Sequence, residues 1–218
     1  MGQVSGRGGG LIAAPGYPFI LGSVVLLLLG VVSGWPWLTV LGLLGGGFFA
    51  YFFRDPDRTI PQEPEAIVSP ADGKVVSVEE VREDRFLKGP ARRVAVFMNV
   101  FDVHVNRAPL AGRVAGLMHR PGAFQAAFRA EAGSQNEQQA MLLEDEEGRR
   151  ALVVQIAGLL ARRIIGYVNT GDRLTKGEKL GMICFGSRVD LYLPPTVDLQ
   201  VKVGDRVKAG SSIIGKWV

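Results

Sequence analysis

The chain predicts a mainly β protein preceded by a hydrophobic helical hairpin, and three features of its 218 residues carry that prediction. Two stretches near the N-terminus, 18–32 and 37–53, are apolar and uncharged. From Ala66 onward, short apolar runs alternate with glycine-containing turns, the pattern of strands rather than helices. Gly171-Asp172-Arg173-Leu174-Thr175-Lys176-Gly177 then returns as Gly204-Asp205-Arg206-Val207-Lys208-Ala209-Gly210, so part of the β region is built twice.

Residues 1–16 are glycine-rich, carry Arg7 as their one cation and show no apolar period, which predicts a mobile tail. The hairpin occupies 17–53, with Ser33-Gly34-Trp35-Pro36 as the turn between its arms. Each arm falls short of the roughly 20 residues that cross a bilayer core, so the expectation is a tight hairpin that crosses fully or partly. A cleaved signal peptide fits less well, because no small-residue cleavage site precedes a polar stretch and more apolar sequence follows. Arg7 before the hairpin and Arg54 and Arg58 after it, with no cation in the turn, orient both ends to the cytoplasm. Trp35, Trp37 and Tyr51 stand at the ends of the arms, where amphipathic rings favour the membrane interface.

Residues 54–65 mix charges with Pro56, Pro61 and Pro64 and read as an extended linker. The soluble domain then runs from 66 to 218. Strand patterns are expected at 67–69, 74–81, 94–99, 103–107, 112–119, 141–144 and 151–156. One helix is expected at Ala123–Ala132, where Phe124, Ala127 and Phe128 share a face and Gly133 can cap the end. The duplicated turn units, about thirty residues apart, suggest a pseudo-symmetric β-sandwich. They resemble the turns of lipoyl and biotinyl carrier domains, and Ser69-Pro70-Ala71-Asp72-Gly73-Lys74-Val75 resembles the opening strand of such barrel-sandwich folds. That resemblance implies a fold only.

Composition excludes several chemistries. Cys184 is the single cysteine, so neither an intrachain disulfide nor a cysteine zinc site is available. With His104 and His119 the only histidines, fifteen residues apart, a metallopeptidase shell is incomplete and no metal is expected. A net charge of +4 suits an anionic membrane surface or nucleic acid, but the cations are scattered through turns without interleaved aromatics, which disfavours nucleic acid. No phosphate-cradling glycine loop follows a strand and opens a helix.

Four positions invite a chemical reading, each beside a plainer one. Gly186-Ser187 is either a turn between strands or a junction where glycine lets the backbone aim the serine hydroxyl at the preceding carbonyl. Asp72, before Gly73, is either a hairpin residue or an acid in a site. His104, inside the apolar run Val103-His104-Val105, is either buried with a partner or facing a site, where it would shuttle a proton near neutral pH. His119 lies in what reads as a loop, Met118-His119-Arg120-Pro121-Gly122, and suits a surface role.

Taken together, the hairpin, Phe52-Phe53-Arg54-Asp55-Pro56-Asp57-Arg58, Ser69-Pro70-Ala71-Asp72-Gly73, Asp102-Val103-His104, Pro121-Gly122-Ala123-Phe124 through Asn136-Glu137, and Gly186-Ser187 resemble the phosphatidylserine decarboxylase proenzymes. The likeness covers nearly all the chain beyond residue 16. Its length and its Phe-Gly-Ser-Arg junction look like the short bacterial and archaeal branch, whereas the Leu-Gly-Ser-Thr junction is absent and Arg107 stands where longer members have a second histidine.

The resemblance implies that Ser187 attacks the Gly186 carbonyl and that the chain splits into a large part, 1–186, and a small part, 187–218, which remain together as a heterodimer. Ser187 then becomes a covalent pyruvoyl group, the cofactor, which takes up the substrate amine as a Schiff base and drains electrons as carbon dioxide leaves. His104 is implied as base and proton donor, with Asp72 as its orienting or charge partner. Arg107, His119, Phe124 and Arg188 are candidates for holding the substrate phosphodiester. Phe124 and Phe128 either add an apolar contact beside the site mouth or belong to the core. The implied substrate is phosphatidylserine, or an archaeal ether-linked phosphoserine lipid with the same headgroup, met at the cell membrane on its cytoplasmic side. The alternative is a membrane-anchored lipoyl-like carrier or adaptor without catalysis, although Lys74, Lys176 and Lys208 are not in the turn such carriers modify.

Overall fold

The computed structural model describes residues 10–123, 135–158, 164–184 and 186–218. The first nine residues of the expected tail, and all but Ala123 of the helix expected at Ala123–Ala132, lie outside them. The chain divides into two compact units, with the boundary between Asp57 and Arg58.

The first unit is the helix pair. A single 3₁₀ turn, Ala14–Gly16, leads into α1, Tyr17–Ser33, and α2 is Pro36–Phe52, with Pro36 at the position where a missing N–H costs nothing. Glycine decides how closely the arms approach. A Cβ on Gly30 would lie 2.4 Å from the Thr39 nitrogen, and one on Gly42 would lie 2.5 Å from that of Leu27, so both positions exclude any side chain. The outer faces remain apolar, with Leu21, Leu28, Val32, Leu43 and Leu44 all more than half exposed. Counting the 3₁₀ turn, Ala14–Ser33 is long and apolar enough to cross a membrane, and α2 is shorter.

The elements described in the second unit are strands. Its strands are β1 (Ala66–Val68), β2 (Gly73–Glu83), β3 (Gly89–Met98), β4 (Val105–Arg107), β5 (Gly112–Arg120), β6 (Gln138–Glu144) and β7 (Arg150–Ile156). There follow β8 (Ile164–Gly166), β9 (Arg173–Leu174), β10 (Lys179–Ile183), β11 (Ser187–Leu193), β12 (Asp198–Leu199), β13 (Arg206–Val207) and β14 (Ile213–Lys216). An eight-stranded antiparallel sheet runs β13-β2-β3-β11-β7-β6-β5-β9, and two three-stranded sheets, β1-β14-β12 and β4-β10-β8, accompany it. The mainly β fold with an apolar helix pair is thus as expected. Met118–Arg120, read from sequence as a loop, completes β5 instead, because its backbone pairs in register with Gln138–Ala140.

The duplication is deeper than the glycine repeat suggests. The two copies supply β9 and β13, which cap opposite edges of the large sheet. Each is received by an equivalent turn, Ser69-Pro70-Ala71-Asp72-Gly73-Lys74-Val75 on one side and Ala108-Pro109-Leu110-Ala111-Gly112-Arg113-Val114 on the other. The hydrogen bonds match pair by pair: Val75 N–H to the Asp205 carbonyl (2.9 Å) against Val114 to Asp172 (2.8 Å), and Val68 to Pro109 (2.9 Å) against Arg107 to Pro70 (3.0 Å). The sheet curls until the two turns meet. Gly177 and Gly210, the ends of the two copies, both pack against Ile60 of the linker.

Alternation along the strands sorts side chains onto two faces. One face buries Val94, Val96, Met141, Val153, Val189 and Leu191 against Ile67, Leu180 and Ile214 of the small sheets. The other carries Ala140, Leu142, Leu152, Val154 and Ile156 against Phe86 and Leu87 from the β2–β3 connection. That connection is held by Glu83, whose carboxylate accepts from the backbone N–H groups of Arg85 (3.1 Å), Phe86 (2.7 Å) and Leu87 (2.8 Å).

Burial alone would raise the Glu83 pKa, but these amides together hold it below the ordinary value of 4.5. A carboxylate with a lowered folded pKa contributes stability above its unfolded pKa and loses it as pH falls through the folded one. Glu83→Gln is therefore expected to cost about 1–3 kcal/mol in urea unfolding at pH 7. The gap to the parent should close as pH drops below the ordinary glutamate value.

Candidate active site

The sheet register gathers one end of the strands into a site. Because neighbours are antiparallel, the starts of β2, β11 and β6 and the ends of β3, β7 and β5 all fall at the same end of the sheet. Lys74 pairs with Phe97 and Ser187 pairs with Met98, so Asp72, at the approach to β2, and Ser187, at the start of β11, lie at that common end. Residues more than a hundred apart are brought together by the ladder.

Gly186 has φ +68°, in the left-handed region that a side-chain-bearing residue enters only with strain. The next residue, Ser187, begins β11 with no exposed surface, and its Oγ is buried without a hydrogen-bond partner. An orphaned buried hydroxyl costs about 1–3 kcal/mol, which marks the position as one that folding alone does not favour.

His104 is held against this junction. Asn99-Val100-Phe101-Asp102 forms a tight turn in which the Asp102 carboxylate accepts from the Asn99 N–H (2.9 Å) and the Asn99 side chain accepts from the Phe101 N–H (2.8 Å). The turn presents the Asp102 carbonyl to His104 Nδ1 at 3.0 Å, while His104 Nε2 lies 3.4 Å from the Gly186 nitrogen. A carbonyl only accepts, so Nδ1 carries the proton and the Nε2 lone pair faces Gly186. This is the tautomer a base requires. His104 is fully buried, which also limits exchange with water.

Two amides that sequence reading passed over lie beneath. Gln155 Nε2 donates to Asn106 Oδ1 at 2.7 Å, Asn106 Nδ2 donates to the Met98 sulfur at 3.6 Å, and Met98 is the Cα partner of Ser187. Both amides are completely buried, and Gln155 Oε1, like Ser187 Oγ, is buried without a partner. The sequence did hold a signal. Asn106 stands two residues from His104 on the same strand face, and Gln155 interrupts the otherwise apolar run Leu152-Val153-Val154-Gln155-Ile156.

The other expected residues are dispersed. Asp72 accepts two bonds from Arg58 Nη2, both 2.9 Å, and one from the Ala209 N–H at 2.8 Å. Its carboxylate is thus engaged with Arg58, a residue that sequence reading assigned to the linker, and what faces His104 Nδ1 is the Asp102 carbonyl. Arg107, on β4, donates Nη1 to the Gly177 carbonyl at 3.1 Å where the sheet edges meet. His119 shares the Ser187 face of the sheet but lies three strands from β11, roughly 14 Å at ~4.8 Å per strand, and pairs with Glu137 at 3.0 Å. Phe124 lies outside the described residues. Among the described residues no cluster of His, Cys, Asp and Glu could hold a metal ion.

Arg188 falls on the opposite face from Ser187, as strand alternation requires. There it forms a buried two-pronged pair with Asp190, at 2.7 and 3.0 Å. Burial pushes the Asp190 carboxyl above its ordinary value even with the Arg188 and Arg93 guanidinium groups beside it. Asp190→Asn leaves Arg188 buried without a carboxylate and should destabilise the fold by about 3–5 kcal/mol in urea unfolding.

Comparison with known proteins identifies the family. The phosphatidylserine decarboxylase family model matches residues 46–215. A phosphatidylserine decarboxylase proenzyme of Desulfotalea psychrophila is 43% identical over 207 residues, covering 95% of this chain and 97% of the relative. The proenzymes of Syntrophotalea carbinolica and Symbiobacterium thermophilum are 48% and 45% identical, each over 94% of this chain and 95% of the relative. A non-catalytic carrier module is thereby set aside. This chain belongs to the phosphatidylserine decarboxylase family, a family of carboxy-lyases.

Proposed function

We propose that this protein decarboxylates phosphatidylserine to phosphatidylethanolamine with a pyruvoyl group that it makes from its own Ser187. The observation that carries the reading is the junction itself: Gly186 at φ +68°, an orphaned Ser187 Oγ and the His104 Nε2 lone pair 3.4 Å from the Gly186 nitrogen. A serine destined to be consumed need not satisfy its hydroxyl.

In the maturation step, His104 takes the hydroxyl proton as Ser187 Oγ adds to the Gly186 carbonyl, and the peptide C–N bond gives way to an ester. Removal of the Ser187 Cα proton then breaks the Cβ–O bond, leaving a Gly186 carboxylate and a dehydroalanine. Water replaces its nitrogen, ammonia departs, and a pyruvoyl group terminates the smaller chain. Asp72 fits as a fixed negative charge at the mouth of the site, paired with Arg58, while the Asp102 carbonyl fixes the histidine tautomer. The turn itself does not require that acid, since Ala111 fills the equivalent place in the twin turn. The two chains are expected to stay together, because β11 pairs with β3 on one side and β7 on the other.

The pyruvoyl carbonyl supplies an electron sink for the pair left when carbon dioxide departs from the serine headgroup. The surroundings of Ser187 suit such a group: buried backbone, the amide pair Asn106–Gln155 and an imidazole. In turnover His104 returns a proton to the headgroup Cα. A two-chain lipid leaves a bilayer at a cost of ~0.8 kcal/mol per buried CH₂, so the enzyme works at the membrane. The helix pair serves as its anchor, with the β unit on the cytoplasmic side.

Denaturing intact-mass measurement is expected to find two fragments meeting at 186/187, the smaller with a blocked N-terminus; a single uncleaved chain that still turns over substrate would refute the cofactor assignment. Ser187→Ala should stay whole and inactive. For His104→Ala the expected result is cleavage and turnover both slowed by about 10²–10⁴-fold, the usual share of a general base. Normal rates of both would remove it from the mechanism. Asp72→Asn should slow cleavage or turnover, and because it leaves the buried Arg58 without its carboxylate it should also lower the thermal midpoint.

A further inference from the structure

The two halves of the β unit carry the same turn on opposite edges, and the surface chemistry of that turn differs between them. At the β9 edge it reads Asn169-Thr170-Gly171-Asp172-Arg173, and at the β13 edge Lys202-Val203-Gly204-Asp205-Arg206. The backbone geometry is shared: Gly171 N–H bonds to the Val114 carbonyl at 2.8 Å and Gly204 N–H to the Val75 carbonyl at 2.9 Å, and an aspartate accepts the N–H three residues earlier at 2.9 Å in both. Folding therefore does not dictate the difference. Over the ten residues from Asn169 the charges cancel, two cations against two anions, whereas over the ten from Lys202 there are three cations against one anion.

The cationic copy is the one beside the candidate site. Arg206 pairs with Lys74 in the sheet and reaches Asp102 at 3.1 Å, tying the β13 edge to the turn that holds His104. Phe101, the neighbour of Asp102, is 65% exposed and Val203 is 58% exposed, while Lys74, Lys202, Arg206 and Lys208 are all exposed around them. The Asp102 and Asp205 carboxylates are engaged locally, by Asn99 and Arg206 and by Lys202 N–H respectively. Exposed apolar tips among unneutralised lysines suit a partner that offers negative charge over hydrocarbon.

We infer that the β13 edge, with Phe101 and Val203 as apolar tips and Lys74, Lys202, Arg206 and Lys208 as cations, is a docking surface for an anionic phospholipid bilayer at the mouth of the site. The inference rests on the reading of this chain as a lipid decarboxylase and goes beyond it by naming a second membrane contact, separate from the helix pair. Its effect is to bring headgroups to His104 and Ser187 rather than merely to keep the enzyme attached. The twin β9 edge, at the far end of the sheet, has no such role.

The test uses the full chain in vesicles of phosphatidylcholine with brominated acyl chains, with or without phosphatidylglycerol. Val203→Cys and the twin Thr170→Cys each receive an environment-sensitive fluorophore, the native Cys184 being buried. Quenching is expected to be several-fold stronger at 203 than at 170, to need phosphatidylglycerol and to weaken in high salt; equal quenching at both positions overturns the inference. Lys202→Asn with Val203→Thr copies a turn that already folds at the twin position. In anionic vesicles this double variant should raise KM for phosphatidylserine about five-fold, the equivalent of ~1 kcal/mol for one cation at such a surface, with kcat unchanged. Lower kcat at constant KM would overturn it. The quenching experiment needs no catalysis, so an inactive enzyme that quenches selectively at 203 sinks the proposed reaction and leaves the surface standing, and normal turnover with equal quenching does the reverse.

Discussion

The organising constraint is the double pairing of β11. Seven residues beginning at Ser187 are bonded to β3 on one side and several of them to β7 on the other, in the middle of an eight-stranded sheet. A central strand has no slack, because a one-residue slip would put Arg188 and Asp190 into the core and Val189 out of it. The Gly186–Ser187 peptide is therefore held by the most rigid part of the fold, and the residue that absorbs the change of direction is the glycine at φ +68°. The same pairing would keep both pieces in place after a cut at 186/187, so that maturation changes the chemistry of the strand end without unmaking the sheet.

Against that fixed strand, the reactive partner comes from a local device. His104 owes its tautomer to a backbone carbonyl presented by the Asn99–Asp102 turn, not to a distant carboxylate. A carbonyl cannot change its protonation, so orientation is insensitive to pH in a way that an acid would not be. Asp72 is free of that duty, and its bonds to Arg58 connect the site to the first residue of the β unit, directly after the segment that follows α2.

Much of this was legible in the sequence, and the failures share a cause. Strands and helix arms follow from apolar periodicity, which is a local property, and their expected bounds differ from the observed ones mainly at the ends. The junction, His104 and the glycine repeat were visible because their residue types are rare or recurrent. What escaped notice depends on partners fixed only by the sheet. Arg58 looked like a linker charge until its contact with Asp72, and Arg188 looked like a phosphate ligand because its mate Asp190, two residues away, becomes its neighbour only on a strand. The second repeat, Pro70–Val75 against Pro109–Val114, shares proline, glycine, a cation and valine, too little to stand out before the hydrogen bonds show its equivalence.

That duplication supplies its own control for separating fold from function. Where the halves must do the same structural work they agree: Pro70 with Pro109, Gly73 with Gly112, Val75 with Val114 and Gly177 with Gly210. Where they differ, a residue proposed for chemistry in one half faces a plain one in the other. His104 stands opposite Glu65, Asn106 opposite Ile67 and Asp72 opposite Ala111, at positions whose backbone bonding is matched. A turn or strand that folds equally well with alanine or isoleucine gives no folding reason to bury an acid or an amide. The burden of explaining Asp72, Asn106 and the lysines of the β13 edge therefore falls on the site at the head of β11, to which the two halves contribute different residues.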